Sequence, residues 1–249
     1  MKLNSPKFWQ DKNFISFILS PLSLITHFVN SIKKIFPKKK FKINTICIGN
    51  IYIGGTGKTS LAIEIHNILK KKYKTVFIKK NYLDQKDEIK LLENSGKIIS
   101  TNSRSNSLNI AQKKGFEIAI LDDGFQQKNI NYDLKILCFN SKKGIGNGMV
   151  LPSGPLRESF NEINNCDLIF INGENKNNKL IDKIKIINKN INIFESNYFP
   201  TNLKKINKKR NFLIFCGIGN PHEFENTLSK FKFNIKRKFI YPDHYQILD

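Results

Sequence analysis

Acidic side chains are scarce in this chain. Its 249 residues hold 20 Asp and Glu against 42 Lys and Arg, a formal net charge of +22. Cysteine is also rare: Cys47, Cys138, Cys166 and Cys216 are scattered without a C-x-x-C pair. That spacing supports neither a disulfide framework nor a zinc site, and the four thiols read as small buried hydrophobes of a reducing compartment. No uninterrupted apolar run reaches the roughly 20 residues that a membrane-crossing helix needs. Of a cleaved leader's two marks, basic residues first and a small-residue cleavage site after the apolar core, neither is clear around the apolar N-terminal segment. An Asn-Lys-x-Asp guanine-reading motif is absent; Asn140-Ser141-Lys142-Lys143 only approaches it. The aromatic residues follow core periodicity rather than forming a basic stacking surface, which argues against a nucleic-acid-binding module despite the charge. Lys, Asn and Ile are abundant everywhere, so about half of the positive excess is read as compositional drift.

What is present is an ordinary globular balance, 40% hydrophobic and 25% charged, in a chain long enough for one large or two small domains. The focus is Gly54-Gly55-Thr56-Gly57-Lys58-Thr59. It follows a strand-like run, Asn44 to Ile48, and opens a helix-like run, Ser60 to Lys72. Glycines let backbone N–H groups crowd a phosphate, and the helix N-terminus adds partial positive charge. Lys58 is placed for the β- and γ-phosphates and the Thr59 hydroxyl for Mg²⁺. The general motif begins with a glycine that here is Tyr52, so Tyr52 and Ile53 open the nucleotide loop.

Thr75 to Ile78 reads as a second strand, followed by a polar stretch, Lys79 to Glu88, holding Asp84, Asp87 and Glu88. Phe116 to Leu121 reads as a strand ending in Asp122-Asp123-Gly124, where one aspartate could hold Mg²⁺ and the other serve a second task. Further strands are expected at Leu134 to Phe139 and Asp167 to Ile171. Between them Gly146 to Glu158 is rich in Gly and Pro and predicts a rigid irregular loop. At its end the Arg157 guanidinium could bind phosphate, oriented by Glu158. Leu180, Ile181, Ile184 and Ile187 have helical spacing. The last part predicts a strand at Phe212 to Cys216, a helix at Pro221 to Phe231 and a strand near Phe239 to Tyr241. Alternating strands and helices indicate an α/β fold with a mostly parallel sheet.

At the other end, Phe14 to Phe36 carries apolar residues at three- and four-residue spacing, interrupted at Pro21, which is expected to kink the helix. The basic cluster Lys33 to Lys40 follows. An apolar helical face beside lysines suits a helix lying in the interface of an anionic bilayer.

Taken together these motifs resemble the tetraacyldisaccharide 4'-kinases of lipid A biosynthesis. The resemblance runs through Pro6-Lys7-Phe8-Trp9, Pro21-Leu22-Ser23, Gly49-Asn50 with the glycine loop, Asp122 to Gln126, and the Gly146 to Glu158 loop. It closes on Gly217-Ile218-Gly219-Asn220-Pro221 and Pro242-Asp243-His244. It implies a P-loop NTPase-like α/β fold divided into an interfacial arm, 1–40, a kinase domain, 41–198, and a smaller α/β lobe, 199–249. The implied reaction moves the γ-phosphate of ATP to the 4'-hydroxyl of a tetraacyl glucosamine disaccharide 1-phosphate. The implied cofactors are ATP and Mg²⁺, and the implied setting is the cytoplasmic face of the inner membrane. Neither nucleic acid nor an obligate protein partner is expected. By the same resemblance Lys58 and Thr59 hold phosphates and metal, and Asp122, Asp123 and Gln126 form the metal-proximal group. Asp87 is the base for the attacking hydroxyl, and His244 orients that base. Departures from the family pattern are Lys79 to Leu83 in place of Ser-Arg-Gly-Tyr-Gly, Gln127 in place of a histidine, and Lys86 and Ile89 around Asp87-Glu88. Relatives continue beyond the position of Asp249, so further residues are expected to complete the last sheet. The alternatives are a P-loop NTPase switch and a basic nucleic-acid-binding ATPase module.

Overall fold

A computed structural model describes residues 6–81, 86–174, 176–200, 203, 206–218, 221–242 and 245. Seven strands form one parallel sheet: β1 Asn44–Gly49, β2 Thr75–Lys80, β3 Ile98–Thr101, β4 Ile118–Asp122, β5 Leu134–Asn140, β6 Leu168–Asn172 and β7 Asn192–Ser196. Their spatial order is β3-β2-β4-β1-β5-β6-β7. A second parallel pair, β8 Asn211–Cys216 and β9 Asn234–Ile240, lies later in the chain.

The sheet is covered on both faces, which is why its inner strands are apolar at successive positions instead of alternating. Along β4, Ile118 and Ile120 face one cluster with Ile48, Phe77, Ile136 and Cys138. Ala119 and Leu121 face the other, with Cys47, Val76, Ile78, Leu137 and Phe139. Helices α3 (Lys58–Leu69) and α4 (Lys86–Ser95) cover the first face through Ala62 and Leu92. Helices α5 (Arg104–Lys113) and α6 (Asn178–Ile187) cover the second through Leu108, Ala111, Leu180 and Ile184. A further helix, α7 (Pro221–Lys230), joins β8 to β9.

Several local expectations are revised. β2 continues through Lys79 and Lys80, so the polar stretch begins inside the sheet. Asp87 sits in the first turn of α4 rather than on a loop. β3 and α5 fill a stretch whose weak periodicity gave no strand or helix; α5 buries Arg104 and Ser107 beside Leu108 and Ala111. Cys47, Cys138 and Cys166 are buried, but Cys216 is only half-buried.

The N-terminal arm is two helices, α1 (Phe14–Ile18) and α2 (Ser20–Ile35). Asn13 caps α1 in a reciprocal box with Ser16. Pro21 lies in the first turn of α2, where its missing N–H costs nothing. The proline therefore starts a helix; it does not bend one. No helix among the described residues is long and apolar enough to cross a membrane.

The arm is amphipathic in an inverted sense. Ser23, Thr26, Asn30 and Lys34, spaced along one face, point into the protein. Ser23 Oγ donates to Val150 O at 2.8 Å, Thr26 Oγ1 to Leu151 O at 2.9 Å and Asn30 Nδ2 to Arg157 O at 2.9 Å. Lys34 pairs with Glu162 at 2.5 Å. Trp9 adds an indole N–H to Pro152 O at 3.1 Å. The apolar residues Phe14, Phe17, Ile18, Leu24, Ile25, Phe28 and Ile35 all face outward, from 58% to 81% exposed.

Candidate functional site

The glycine loop leaves the end of β1 at the centre of the sheet, next to the end of β4, with Ile48 in register with Asp122. Open α/β sheets bind ligands at this edge. Gly57 caps α3 with φ +81°, a conformation that favours glycine, and a Cβ there would lie 2.1 Å from Asn172 Nδ2. The loop is braced from within by Asn50, whose amide donates to Gly54 O at 3.2 Å and Thr56 Oγ1 at 3.1 Å. Gln126 Nε2 in turn donates to Asn50 O at 2.7 Å. The loop is also stitched to the Gly- and Pro-rich segment: Ile53 N donates to Pro155 O at 2.9 Å and Arg157 N to Ile51 O at 2.6 Å. Tyr52 is buried in that seam, bridging to Leu156, and burial raises its phenol above the ordinary value.

Asp122 and Asp123 turn to different partners, as two consecutive aspartates at a strand end can. Asp122 is fully buried; its Oδ2 accepts from Thr59 Oγ1 at 3.1 Å and from Lys79 Nζ at 2.7 Å. Its Oδ1 is buried with no hydrogen-bond partner among the described residues. Asp123, and not Gly124, carries the left-handed turn, with φ +57°. Lys58 Nζ lies 3.5 Å from its Oδ1, Arg157 Nη1 lies 3.4 Å from its Oδ2, and Arg104 Nη2 donates to its carbonyl at 2.8 Å. Burial alone would raise the Asp123 carboxyl, but Lys58, Arg157, Arg104 and Lys79 outweigh it and hold the group below its ordinary value.

These contacts bring together Lys58, Thr59, Asp122, Asp123, Gln126 and Arg157, whose Nη1 also donates to Gln126 Oε1 at 3.4 Å. Glu158 is not part of the group. Its side chain is buried on the opposite side, 2.5 Å from Lys128, and does not orient Arg157. Burial raises its carboxyl, with Lys128 opposing. The two neighbours take different partners: the guanidinium faces Asp123 and the carboxylate faces Lys128. Lys128 also holds Glu162 at 2.9 Å and lies over the Phe125 ring. Asp87 is exposed in the first turn of α4, with Glu88 beside it. Asp84, Asp243 and His244 lie outside the described residues.

Two residues of the site escape a reading of the sequence. Lys79 is buried against Asp122 and Glu88. Arg104 is buried against Asp123 and donates to Gln127 Oε1 at 3.3 Å. A lysine in a polar run and an arginine opening a polar helix carry no signal of burial.

No group of three or more His, Cys, Asp or Glu among the described residues could hold a metal by itself. One carboxylate with an unpartnered oxygen beside a threonine hydroxyl is nevertheless the set that suits Mg²⁺, which keeps waters and takes its other ligands from nucleotide phosphates.

A family model described as Tetraacyldisaccharide-1-P 4'-kinase matches residues 15–97 and 84–249. A tetraacyldisaccharide 4'-kinase of Pelagibacter ubique strain HTCC1062 is 49% identical over 253 residues, covering 99% of this chain and 80% of that protein. One from Rickettsia canadensis strain McKiel is 32% identical over 267 residues, covering 100% and 80%. Among solved structures, the "apo" form of LpxK from Aquifex aeolicus, crystallised in complex with ATP, is similar with a TM-score of 0.70. It is 22% identical and covers 93% of this chain and 83% of its own, a likeness of fold.

Proposed function

The chain belongs to the tetraacyldisaccharide 4'-kinase family, and from that premise we propose how its residues divide the work of moving the γ-phosphate of ATP to a disaccharide 4'-hydroxyl. The observation that carries the reading is the meeting of the glycine loop with the end of β4. There Thr59 touches Asp122, and Lys58 and Arg157 converge on Asp123.

The loop amides and the N-terminus of α3 receive the β- and γ-phosphates. Lys58, held near Asp123, is already beside the place where negative charge accumulates, and Arg157 faces the same carboxylate. Both cations offset charge spread over the transferring phosphoryl oxygens. Thr59 and Asp122 would hold Mg²⁺, whose contribution when bound is neutralisation and alignment of the phosphate oxygens. Asp87 is the base: its carboxylate takes the proton of the 4'-hydroxyl as that oxygen bonds to the γ-phosphorus. The bond from that phosphorus to the β–γ bridging oxygen breaks, and ADP leaves. Because Asp87 opens α4, its negative charge also sits at the favourable end of the helix dipole.

The acylated substrate fixes the setting. The outward apolar face of the arm and the lysines after it suit the cytoplasmic surface of the inner membrane, where the arm rests in the interface and the lipid headgroup meets the loop. The test is ATP- and Mg²⁺-dependent phosphorylation of a tetraacyl disaccharide 1-phosphate in mixed micelles. Asp87→Ala is expected to bind nucleotide like the parent while turnover falls at least a hundredfold, in the usual range for a lost general base. No product above a Lys58→Ala control would refute the activity. A loss confined to ATP affinity in Asp87→Ala would refute its role.

A further inference from the structure

Lys79 is the penultimate residue of β2, with its side chain 1% exposed. A buried ammonium is costly unless opposite charge meets it, and two carboxylates do so from different elements. Asp122 reaches it from β4 at 2.7 Å, and Glu88 from the first turn of α4. Burial alone would lower the ammonium's pKa, yet the two carboxylates push it up to about 12, so the charge stays in place. The same Asp122 accepts from Thr59 and keeps one oxygen unpartnered. A divalent ion reaching this carboxylate therefore arrives beside a cation already there. The two repel, and the ammonium has a second, partly exposed carboxylate to lean on. Glu88 directly follows Asp87, so force on Glu88 acts on the turn that carries Asp87.

We propose that Lys79 is a positioning residue linking the metal–nucleotide site to α4. In the nucleotide-free protein its ammonium neutralises Asp122. When Mg²⁺ takes that carboxylate, the ammonium shifts its weight to Glu88 and fixes the first turn of α4, with Asp87, relative to the phosphates. The inference rests on the Mg²⁺–nucleotide reading above and adds a residue to it.

The experiment measures the factor by which saturating Mg²⁺ tightens binding of a fluorescent ATP analogue, in the parent, Lys79→Met and Glu88→Gln. Removing the resident cation should raise that factor roughly tenfold, and removing its second carboxylate should lower it several-fold. A merely structural lysine would not produce opposite signs. Hydrogen exchange across Lys86–Ser95 should slow on adding Mg²⁺ and AMP-PNP to the parent but not to Glu88→Gln. If Lys79→Met fails to fold, the partly exposed Glu88 still carries both readouts. Equal factors in the folded variants, or exchange in α4 that slows equally in Glu88→Gln, would overturn the role of Lys79. Nucleotide affinity in the parent that ignores Mg²⁺ would instead overturn the metal assignment, and the Lys79 role with it.

Discussion

Replacing Gly57 by alanine should damage the phosphate loop through one identifiable neighbour, Asn172. The new Cβ would stand 2.1 Å from Asn172 Nδ2 and 3.0 Å from its Cγ, far inside contact distance. Two costs follow. The left-handed conformation of residue 57 costs an alanine about 1–2 kcal/mol. The Asn172 amide must also swing away, giving up its bonds to the Tyr198 hydroxyl and from Ser196 Oγ, each worth about 1 kcal/mol net. Gly57→Ala should therefore lose about 3–4 kcal/mol of stability, and Asn172→Ala, which forfeits the same two bonds, about 2 kcal/mol. In the double variant the clash is gone, because only the Cβ of residue 172 remains, at 3.3 Å. The pair should then cost no more than Gly57→Ala alone, a coupling of about 2 kcal/mol in a double-mutant cycle. Urea unfolding of the four proteins without nucleotide measures it. Additive losses, within about 0.5 kcal/mol, would show that Asn172 is not what forbids a side chain at position 57.

Two further outcomes are expected. Ile25→Glu with Phe28→Glu removes two outward side chains, 61% and 66% exposed, that touch little of the protein. If the arm rests in a bilayer interface, co-sedimentation with anionic vesicles should fall by about 2–4 kcal/mol, roughly thirty- to thousandfold, with unchanged thermal stability; undiminished binding would refute the orientation. His66 is buried in α3, bonded through Nδ1 to Thr75 Oγ1 at 2.7 Å, with its ring tilted against Phe77. Burial lowers its pKa from 6.5, Lys70 pushes the same way, and the Ser95 backbone opposes. The unfolded chain thus binds a proton that the folded one resists. The stability from this group is complete above 6.5 and is lost as pH falls through the lowered folded value. Denaturation at a series of pH values should show that slope, at most about 1.4 kcal/mol per pH unit, flattened in His66→Gln.

The parts of the site legible in the sequence were those whose chemistry is local. Gly54 to Thr59 needs only a strand before it and a helix after it, and Asp122-Asp123 only the end of an apolar strand. Arg157 was legible as a cation at the end of a rigid loop. What stayed hidden depends on distant partners. Lys79 reads as surface because the carboxylates that make its burial tolerable, Asp122 on β4 and Glu88 on α4, come together with it only in the fold. Glu158 reads as a companion of Arg157 until Lys128 is seen to claim it. In the fold, β3 and α5 were missed because Ile98-Ile99-Ser100-Thr101 is short and α5 is mostly polar. The arm was legible as an amphipathic helix whose apolar face suits a bilayer interface, but what its polar side holds was not. Its polar side docks on the carbonyls of Val150, Leu151 and Arg157, and backbone acceptors leave no mark in a sequence.

That docking divides the arm into two halves with different tolerance for change. If the arm rests in a bilayer interface, its outward residues need only be oily, so Leu, Ile, Phe and Val can trade places there with little consequence. Ser23, Thr26 and Asn30 each answer to one particular carbonyl, and the carbonyl met by Asn30 belongs to Arg157 itself. A saturation scan of α2 read out by growth should therefore show a permissive stripe and a strict one winding around the same sixteen residues. The strict stripe is the hydrophilic one, the reverse of the pattern in an ordinary surface helix, where the buried side is the greasy side.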